Sequence, residues 1–118
     1  MYEVKTTELG RISIDLEVVE TIAGLAAMDC YGLVGMVAQD VKSGLNSILG
    51  RESIRKGVKV NYSEDGFVID VYVIVGYGTK ISEVAHNVMQ KVTYVLEKDA
   101  GLNVAAVNVN VKGVKVLR

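Results

Sequence analysis

The fold is decided by residues 57–113, which read GVKVNYSEDGFVIDVYVIVGYGTKISEVAHNVMQKVTYVLEKDAGLNVAAVNVNVKG. Two runs within them, Val58 to Tyr62 and Phe67 to Val75, have the composition and alternation of β-strands. The Asp65-Gly66 pair between the runs favours a hairpin turn, because glycine adopts positive φ without steric cost. The two strands are therefore predicted to be antiparallel.

The second of these strands has two chemically different faces. Side chains alternate across a strand, so one face is apolar and the other carries Asp70 and Tyr72. The apolar face contains Phe67, Ile69, Val71, Val73 and Val75. This alternation predicts a sheet with one face in the core and one partly in water.

A long amphipathic helix is predicted after the bend at Gly76 and Gly78, with Thr79 as its cap and Gly101 beyond its end. Its apolar stripe consists of Ile81, Val84, Ala85, Val88, Met89, Val92, Val95 and Leu96. A last strand is predicted from about Val104 to Val111. A strand, a crossover helix and a second strand in one sheet form a right-handed unit, so the last strand should run parallel to the second.

The N-terminal half has weaker signals. Ile12 and Ile14 indicate a short strand, and Asp15 is placed to cap a helix from about Leu16 to Asp29. Gly32 is typical of a helix end. The remaining predictions are a buried strand from Leu33 to Val37, a short helix carrying Val41, Leu45, Ile48 and Leu49, and an exposed, mobile loop from Gly50 to Lys56.

The elements together predict an α+β fold. A single domain spanning 1–118 is expected, since 118 residues are close to the commonest domain size. We expect two layers, a mixed sheet of three to five strands with two main helices packed on one face. The opposite face would carry polar side chains.

Composition limits the function classes. Thirteen basic and 14 acidic residues leave a net charge of −1, which gives no global field towards nucleic acid or an anionic bilayer. Cys30 is the one cysteine, so an internal disulfide and a cysteine zinc cage are excluded. No apolar run approaches the roughly 18 residues of a membrane span, and no signal peptide is visible. A cytoplasmic protein without direct membrane insertion is expected.

Candidate reactive groups are sparse. Cys30 and His86 are the sole members of their types, and neither lies in a setting typical of a nucleophile and its base. One histidine and one cysteine do not make a transition-metal site. We therefore predict no enzyme activity and assign no catalytic, cofactor-binding or metal-ligating residue.

Two features could bind an anion. The turn from Gly76 to Lys80 leads from a strand into a helix, where Thr79 and Lys80 could hold a phosphate. A basic group, Arg51, Arg55, Lys56 and Lys59, could contact a polyanion, although Glu52 dilutes it. A nucleic-acid or anionic-ligand binding module is the alternative function that these residues leave open.

Polar and aromatic side chains indicate a protein-interaction surface. On the open face of the predicted sheet these are Lys59, Asn61, Asp70, Tyr72, Asn108 and Asn110. Tyr94 lies on the polar side of the long helix, and exposed tyrosines suit protein contacts. The Val-Asn-Val-Asn-Val strand would leave an edge that invites pairing with another copy.

Read in order, the chain resembles the alkaline-shock protein family, the small envelope-stress-response proteins of Gram-positive bacteria. The residues that carry the resemblance are Gly10-x-Ile12-x-Ile14; Val18, Val19, Ile22 and Ala23; Gly32-Leu33-Val34-Gly35-Met36; Lys56-Gly57-Val58-Lys59-Val60; Ile69-Asp70-Val71; Tyr77-Gly78-x-x-Ile81; Gly101-Leu102-x-Val104; and Val107-Asn108-Val109-x-Val111-x-Gly113-Val114.

The resemblance implies a cytoplasmic, non-enzymatic protein of cell-envelope homeostasis or stress response. It also implies protein partners, among them a small membrane-anchored protein that holds some members at the membrane. It supplies no active-site residue and no cofactor. Together with the residue pattern, it predicts an adaptor or assembly protein that forms homo-oligomers or docks on a partner.

Overall fold

The computed structural model describes residues 2–39 and 48–116. In chain order its elements are β1 (Tyr2–Thr7), β2 (Gly10–Ile14), α1 (Leu16–Met28), β3 (Leu33–Met36), a 3₁₀ helix (Arg51–Gly57), β4 (Val58–Ser63), β5 (Gly66–Gly76), α2 (Ile81–Tyr94), a π-helical turn (Val95–Asp99) and β6 (Val104–Lys115).

Strand β5 is the centre of the larger sheet. Strands β3 and β4 lie one after the other along one edge of β5, both antiparallel to it. Strand β6 lies along the other edge and is parallel to β5, from Phe67↔Val104 to Gly76↔Lys115. The α+β class, the mixed sheet, the antiparallel β4–β5 hairpin and the parallel crossover are thus confirmed. The last strand is longer than predicted.

The core lies between the sheet and the two helices. The five apolar side chains predicted for one face of β5 are all buried there, against Val19, Ala23, Ala26 and Ala27 of α1 and Val84, Val88, Val92 and Leu96 of the α2 region. Burial of each larger aliphatic side chain stabilises the fold by about 1.5–3 kcal/mol. Ile81 and Met89 of the predicted stripe are exposed, because the buried row recurs every four residues from Val84 and they lie beside it.

The prediction of a mobile loop from Gly50 to Lys56 is wrong. Residues Arg51–Gly57 form a 3₁₀ helix, and Ile54 within it is buried against α1. A Cβ built on Gly24 of α1 would lie 3.2 Å from the Ile54 side chain, so glycine at that position permits the close approach. Of the predicted short helix, Val41 and Leu45 lie outside the described residues, and Ile48 and Leu49 are not helical.

Helix ends also differ from expectation. Thr79 does not cap α2: its hydroxyl donates a hydrogen bond to the Gly76 carbonyl (2.7 Å), and Lys80 occupies the cap position. Asp15 occupies the cap position of α1 without a side-chain cap bond. Helix α1 ends at Met28, and Gly32 (φ +89°) lies in the turn that follows.

Strands β1 and β2 form a separate antiparallel hairpin that the sequence patterns did not reveal in full. Thr7 pairs with Gly10 across a two-residue turn of Glu8 and Leu9. The strands contact mainly each other, and the side chains from Lys5 to Ser13 are exposed. The Cα extents are 56 × 23 × 21 Å, so the molecule is elongated.

Candidate interaction surfaces

The open face of the sheet brings together six of the predicted interaction residues: Lys59, Asn61, Asp70, Tyr72, Asn108 and Asn110. Lys59 and Asn108 flank Asp70 on the neighbouring strands, and Asn110 lies beside Tyr72. The alternate residues of β5 point to the helices, so these six lie on the other face. The structure therefore assembles residues that are far apart in the sequence.

Hydrogen bonds organise this face. The Asn108 amide donates to the Asp70 carboxylate (2.9 Å), and the Asn110 amide donates to the Val71 carbonyl (3.3 Å). Burial, and secondarily the Asp70 charge, raises the pKa of the Tyr72 phenol, so Tyr72 remains a neutral donor. The face offers ordered polar groups for contact and no activated nucleophile.

The outer edge of β6 lies next to the open face. Within the described residues the twelve-residue strand β6 pairs with β5 alone, through ten residue pairs. Its first part, Val104 to Val111, carries no charged side chain; Lys112 and Lys115 follow near its end. Exposed edge strands present unpaired N–H and C=O groups, and charges usually blunt them. Here the long first part of the edge carries no such charge of its own, although the Val104 amide at its start donates a hydrogen bond to the Glu97 carboxylate (3.4 Å).

Tyr94 belongs to a different surface. It lies near the end of α2, with 59% of its side chain exposed. Because α2 covers the apolar face of the sheet, Tyr94 is not brought to the six open-face residues. The structure thus separates two groups that the sequence patterns treated together.

The candidate anion-binding residues do not form one patch. Arg55 lies 3.9 Å from both Glu17 and Glu20 of α1, so acidic groups already neighbour its guanidinium. Arg51 and Lys56 are exposed on the same 3₁₀ helix. Thr79 and Lys80 lie in the turn after β5, where the Thr79 hydroxyl is bonded to Gly76. No convergent anion site results from the predicted residues.

Cys30 is half-buried, and its thiol lies 3.8 Å from the carbonyl oxygens of Ala26 and Asn87. Burial raises the pKa of this thiol, more than nearby Lys91 lowers it. His86 is exposed on α2. In residues 2–39 and 48–116 no group of three or more His, Cys, Asp or Glu side chains could hold a metal ion.

We expect Cys30 to react slowly with thiol reagents, because the thiolate is the reactive form and its formation is disfavoured here. At pH 7.5 the folded chain should be labelled about tenfold more slowly than the urea-unfolded chain. Ser82→Cys in a Cys30→Ser background gives an exposed control thiol on α2, which should react rapidly. Equal labelling rates for the two thiols would contradict this interpretation.

The sequence patterns singled out the turn after β5 but missed two exposed tyrosines beside it. Tyr31 and Tyr77 are 88% and 72% exposed, and each directly precedes a glycine with positive φ, Gly32 or Gly78. The Gly76 amide donates to the Gly32 carbonyl (2.9 Å), which joins the two turns. Three clefts of about 290, 260 and 410 Å³ share Gly78 and Thr79 as lining residues. In the sequence, the signal that could have revealed these tyrosines is the Tyr-Gly pair, which occurs at 31–32 and again at 77–78.

No helix in the described parts of the chain is long and apolar enough to cross a membrane. Among solved structures, the fold is similar to a MamM CTD variant, with a TM-score of 0.56, 12% identity and coverage of 87% of this chain and 96% of that one. At this identity the likeness shows the fold alone.

Sequence comparisons identify the family. The chain is 50% identical over 111 residues to "Uncharacterized protein YloU" of Bacillus subtilis, covering 93% of this chain and 92% of that protein. It is 26% identical over 106 residues to a "Stress response regulator gls24 homolog" of Streptococcus pyogenes, covering 90% of this chain and 59% of that one. The model of the alkaline-shock protein family, described as having a cell envelope-related function, matches residues 4–116. The chain therefore belongs to the alkaline-shock protein family.

Proposed function

We propose that this chain is a non-enzymatic assembly or adaptor protein of cell-envelope upkeep or stress response, acting by self-association or by docking on a protein partner. The observation that carries the proposal is the edge of β6 that no other strand pairs with in the described parts of the chain, beside the ordered polar face. The family description supports the link to the envelope, and the name of the streptococcal relatives supports the link to stress.

The β6 edge is suited to pairing because it is long and its first part lacks charge. In one self-association mode, two edges meet antiparallel around a two-fold axis, so that the same surface of each copy is buried. The two sheets then become one continuous sheet, and the unpaired backbone groups of both edges are satisfied. An extended segment of another protein would satisfy the same groups.

We place the protein in the cytoplasm, with any membrane contact made through a small membrane-anchored protein partner. This part of the proposal rests on the envelope-related description of the family. It is tested by co-purification from envelope and soluble fractions of the native cell. Absence of any envelope protein among the captured partners would contradict it.

The edge is tested by a lysine placed on β6. Ala106 and Asn61 both pair with Val68, Ala106 on β6 and Asn61 on β4, so they occupy one cross-strand row. In light scattering across a dilution series, Ala106→Lys should raise the dissociation midpoint of the assembly by at least about tenfold, since it places a lysine on the uncharged part of each edge and edge lysines disfavour pairing. Asn61→Lys adds the same charge to the open face on β4, away from the β6 edge, so it separates a contact made by the face from one made by the edge; edge pairing predicts an unchanged midpoint.

Two results would contradict the proposal in different ways. If Asn61→Lys weakens assembly and Ala106→Lys does not, the β6 edge is not the contact. If the parent chain is monomeric at every concentration and captures no partner from a lysate, the assembly function itself is wrong.

A further inference from the structure

The β1–β2 hairpin projects along the long axis of the molecule. The two shorter extents, 23 and 21 Å, are those expected for one sheet layer and one helix layer, so a sideways projection has no room. An isolated two-stranded hairpin is at best marginally stable in water. Within residues 2–39 and 48–116 its strands contact mainly each other, so a surface that covered the hairpin would add to its stability.

The hairpin and the Tyr-Gly turns lie at opposite ends. Helix α1 begins directly after the hairpin, and α1 contacts the Val95–Asp99 turn at the far end of α2. After α1, Cys30 reaches Asn87 in the first half of α2, and Gly32 lies against Val84. We call the end that carries the hairpin the hairpin pole. The end that carries Tyr31, Gly76 to Ile81, Val114 and Val116 is the glycine-turn pole.

Exposed apolar side chains concentrate at these poles. In the described chain eleven large apolar side chains are exposed, two of them in the hairpin and five at the glycine-turn pole. Leu9 at the hairpin tip is fully exposed, and Ile12 is 54% exposed. The five at the other pole are Tyr31, Tyr77, Ile81, Val114 and Val116. One pole presents an apolar projection, and the other presents apolar clefts.

The charges of the two poles are complementary. Among the described side chains, the hairpin pole is mainly acidic and includes Glu8, Asp15, Glu17, Glu20, Glu64, Asp65, Glu97 and Asp99, beside the basic Lys5, Arg11, Arg55 and Lys98. The described side chains of the glycine-turn pole include the basic Lys80, Lys112 and Lys115, beside the acidic Asp29 and Glu83. Opposite net charges favour the approach of one pole to the other and disfavour contact between like poles.

We infer that copies of this chain meet head to tail, with the hairpin of one seated on the glycine-turn pole of the next. Leu9 occupies the cleft of about 410 Å³ that Tyr77, Ile81 and Val114 line, and Glu8 lies near Lys80 and Lys115. The inference rests on self-association as the proposed function and adds a second contact to the β6 edge. Such a contact is heterologous, so each added copy leaves one hairpin and one pole free.

Complementary variants test this contact. Leu9→Asp removes the apolar tip, and Tyr77→Asp places a charge in the receiving cleft; both side chains are exposed, so the fold is retained. In sedimentation velocity each variant alone should require at least about tenfold more protein to associate through this contact, the loss expected from one buried large apolar group. An equimolar mixture should form a one-to-one dimer, because one intact hairpin and one intact pole remain. Met89→Asp, at an exposed position in the middle of α2, is the control and should behave as the parent.

A cross-link provides a second measurement that does not depend on weakened binding. In a Cys30→Ser background, Leu9→Cys and Tyr77→Cys chains mixed under mild oxidation should form the mixed disulfide in preference to either homodimer. These measurements are made with Ala106→Lys also present, so that pairing of β6 edges does not contribute.

The possible outcomes separate the two proposals. If the Ala106→Lys parent associates and both pole variants associate equally well, the head-to-tail contact is wrong and the assembly function stands. If Leu9→Asp is monomeric and Tyr77→Asp still assembles, the hairpin seats elsewhere and the contact is again wrong. If the parent chain never associates, both proposals fail.

Discussion

Replacing Gly66 by alanine should lower the free energy of unfolding by about 3–5 kcal/mol. Gly66 has φ +125°, and a Cβ at this position would lie 2.5 Å from the Asn103 carbonyl oxygen. That oxygen accepts a hydrogen bond from the Phe67 amide (2.8 Å). Alanine would therefore add backbone strain and push away the carbonyl that joins β5 to the start of β6. Urea unfolding, followed by circular dichroism, measures the loss.

Gly101→Ala is the matched control. Gly101 also has positive φ (+70°), but nothing lies within 4 Å of its built Cβ. This variant should lose only about 1–2 kcal/mol of unfolding free energy, which is the cost of backbone strain at positive φ. Equal losses at Gly66 and Gly101 would show that the Asn103 contact contributes nothing.

Replacing Ile69 by alanine should cost about 2–5 kcal/mol of stability. Ile69 is fully buried in the middle of β5, between Val60 of β4 and Val107 of β6. The loss combines the transfer free energy of the deleted methyl groups with a cavity that the surrounding strands cannot close. The urea midpoint should fall with little change in the slope of the transition.

Ile81→Ala provides the same chemical change at an exposed position. Ile81 is the first residue of α2 and lies outside the buried row of that helix. Its replacement should change stability by less than about 0.5 kcal/mol. A loss at Ile81 as large as that at Ile69 would contradict the assignment of the core.

The sequence was sufficient to predict those elements in which burial of one face gives the apolar residues a regular spacing. Alternation along β5 and the spacing of Val84, Val88 and Val92 follow from burial against one partner layer, and both predictions are confirmed. Family membership was also predictable, because the order of the glycine and valine segments spans the chain. Periodicity, however, reports only which side chains face the core.

The features that the sequence patterns did not predict have a common cause. Each depends on a contact between residues distant in sequence, or forms without burying an apolar face. Ile54 is one apolar residue in a polar run, and its burial depends on the space left by Gly24. Tyr31 and Tyr77 become neighbours through the bond between Gly76 and Gly32. From Lys5 to Ser13 the β1–β2 hairpin buries no side chain, so no apolar stripe marks this part of it.

The open face shows the same limit at the level of the candidate site. Alternation predicted which side chains share the face, and the structure brings those six together. It did not predict that Asn108 would be engaged with Asp70, nor that Tyr94 would lie on the helical layer. These relations depend on the register between strands and on which layer each helix belongs to. Neither can be read from local sequence patterns.

The isolation of the β1–β2 hairpin has a consequence for cooperativity. Because its strands contact mainly each other, the hairpin can open without disturbing the core, and its local unfolding free energy is lower than that of β5. Binding of the hairpin to another molecule would therefore order the hairpin at the same time. Part of the binding free energy would be offset by the cost of this ordering. An assembly built in this way dissociates readily, so its extent would follow the concentration of the protein in the cell.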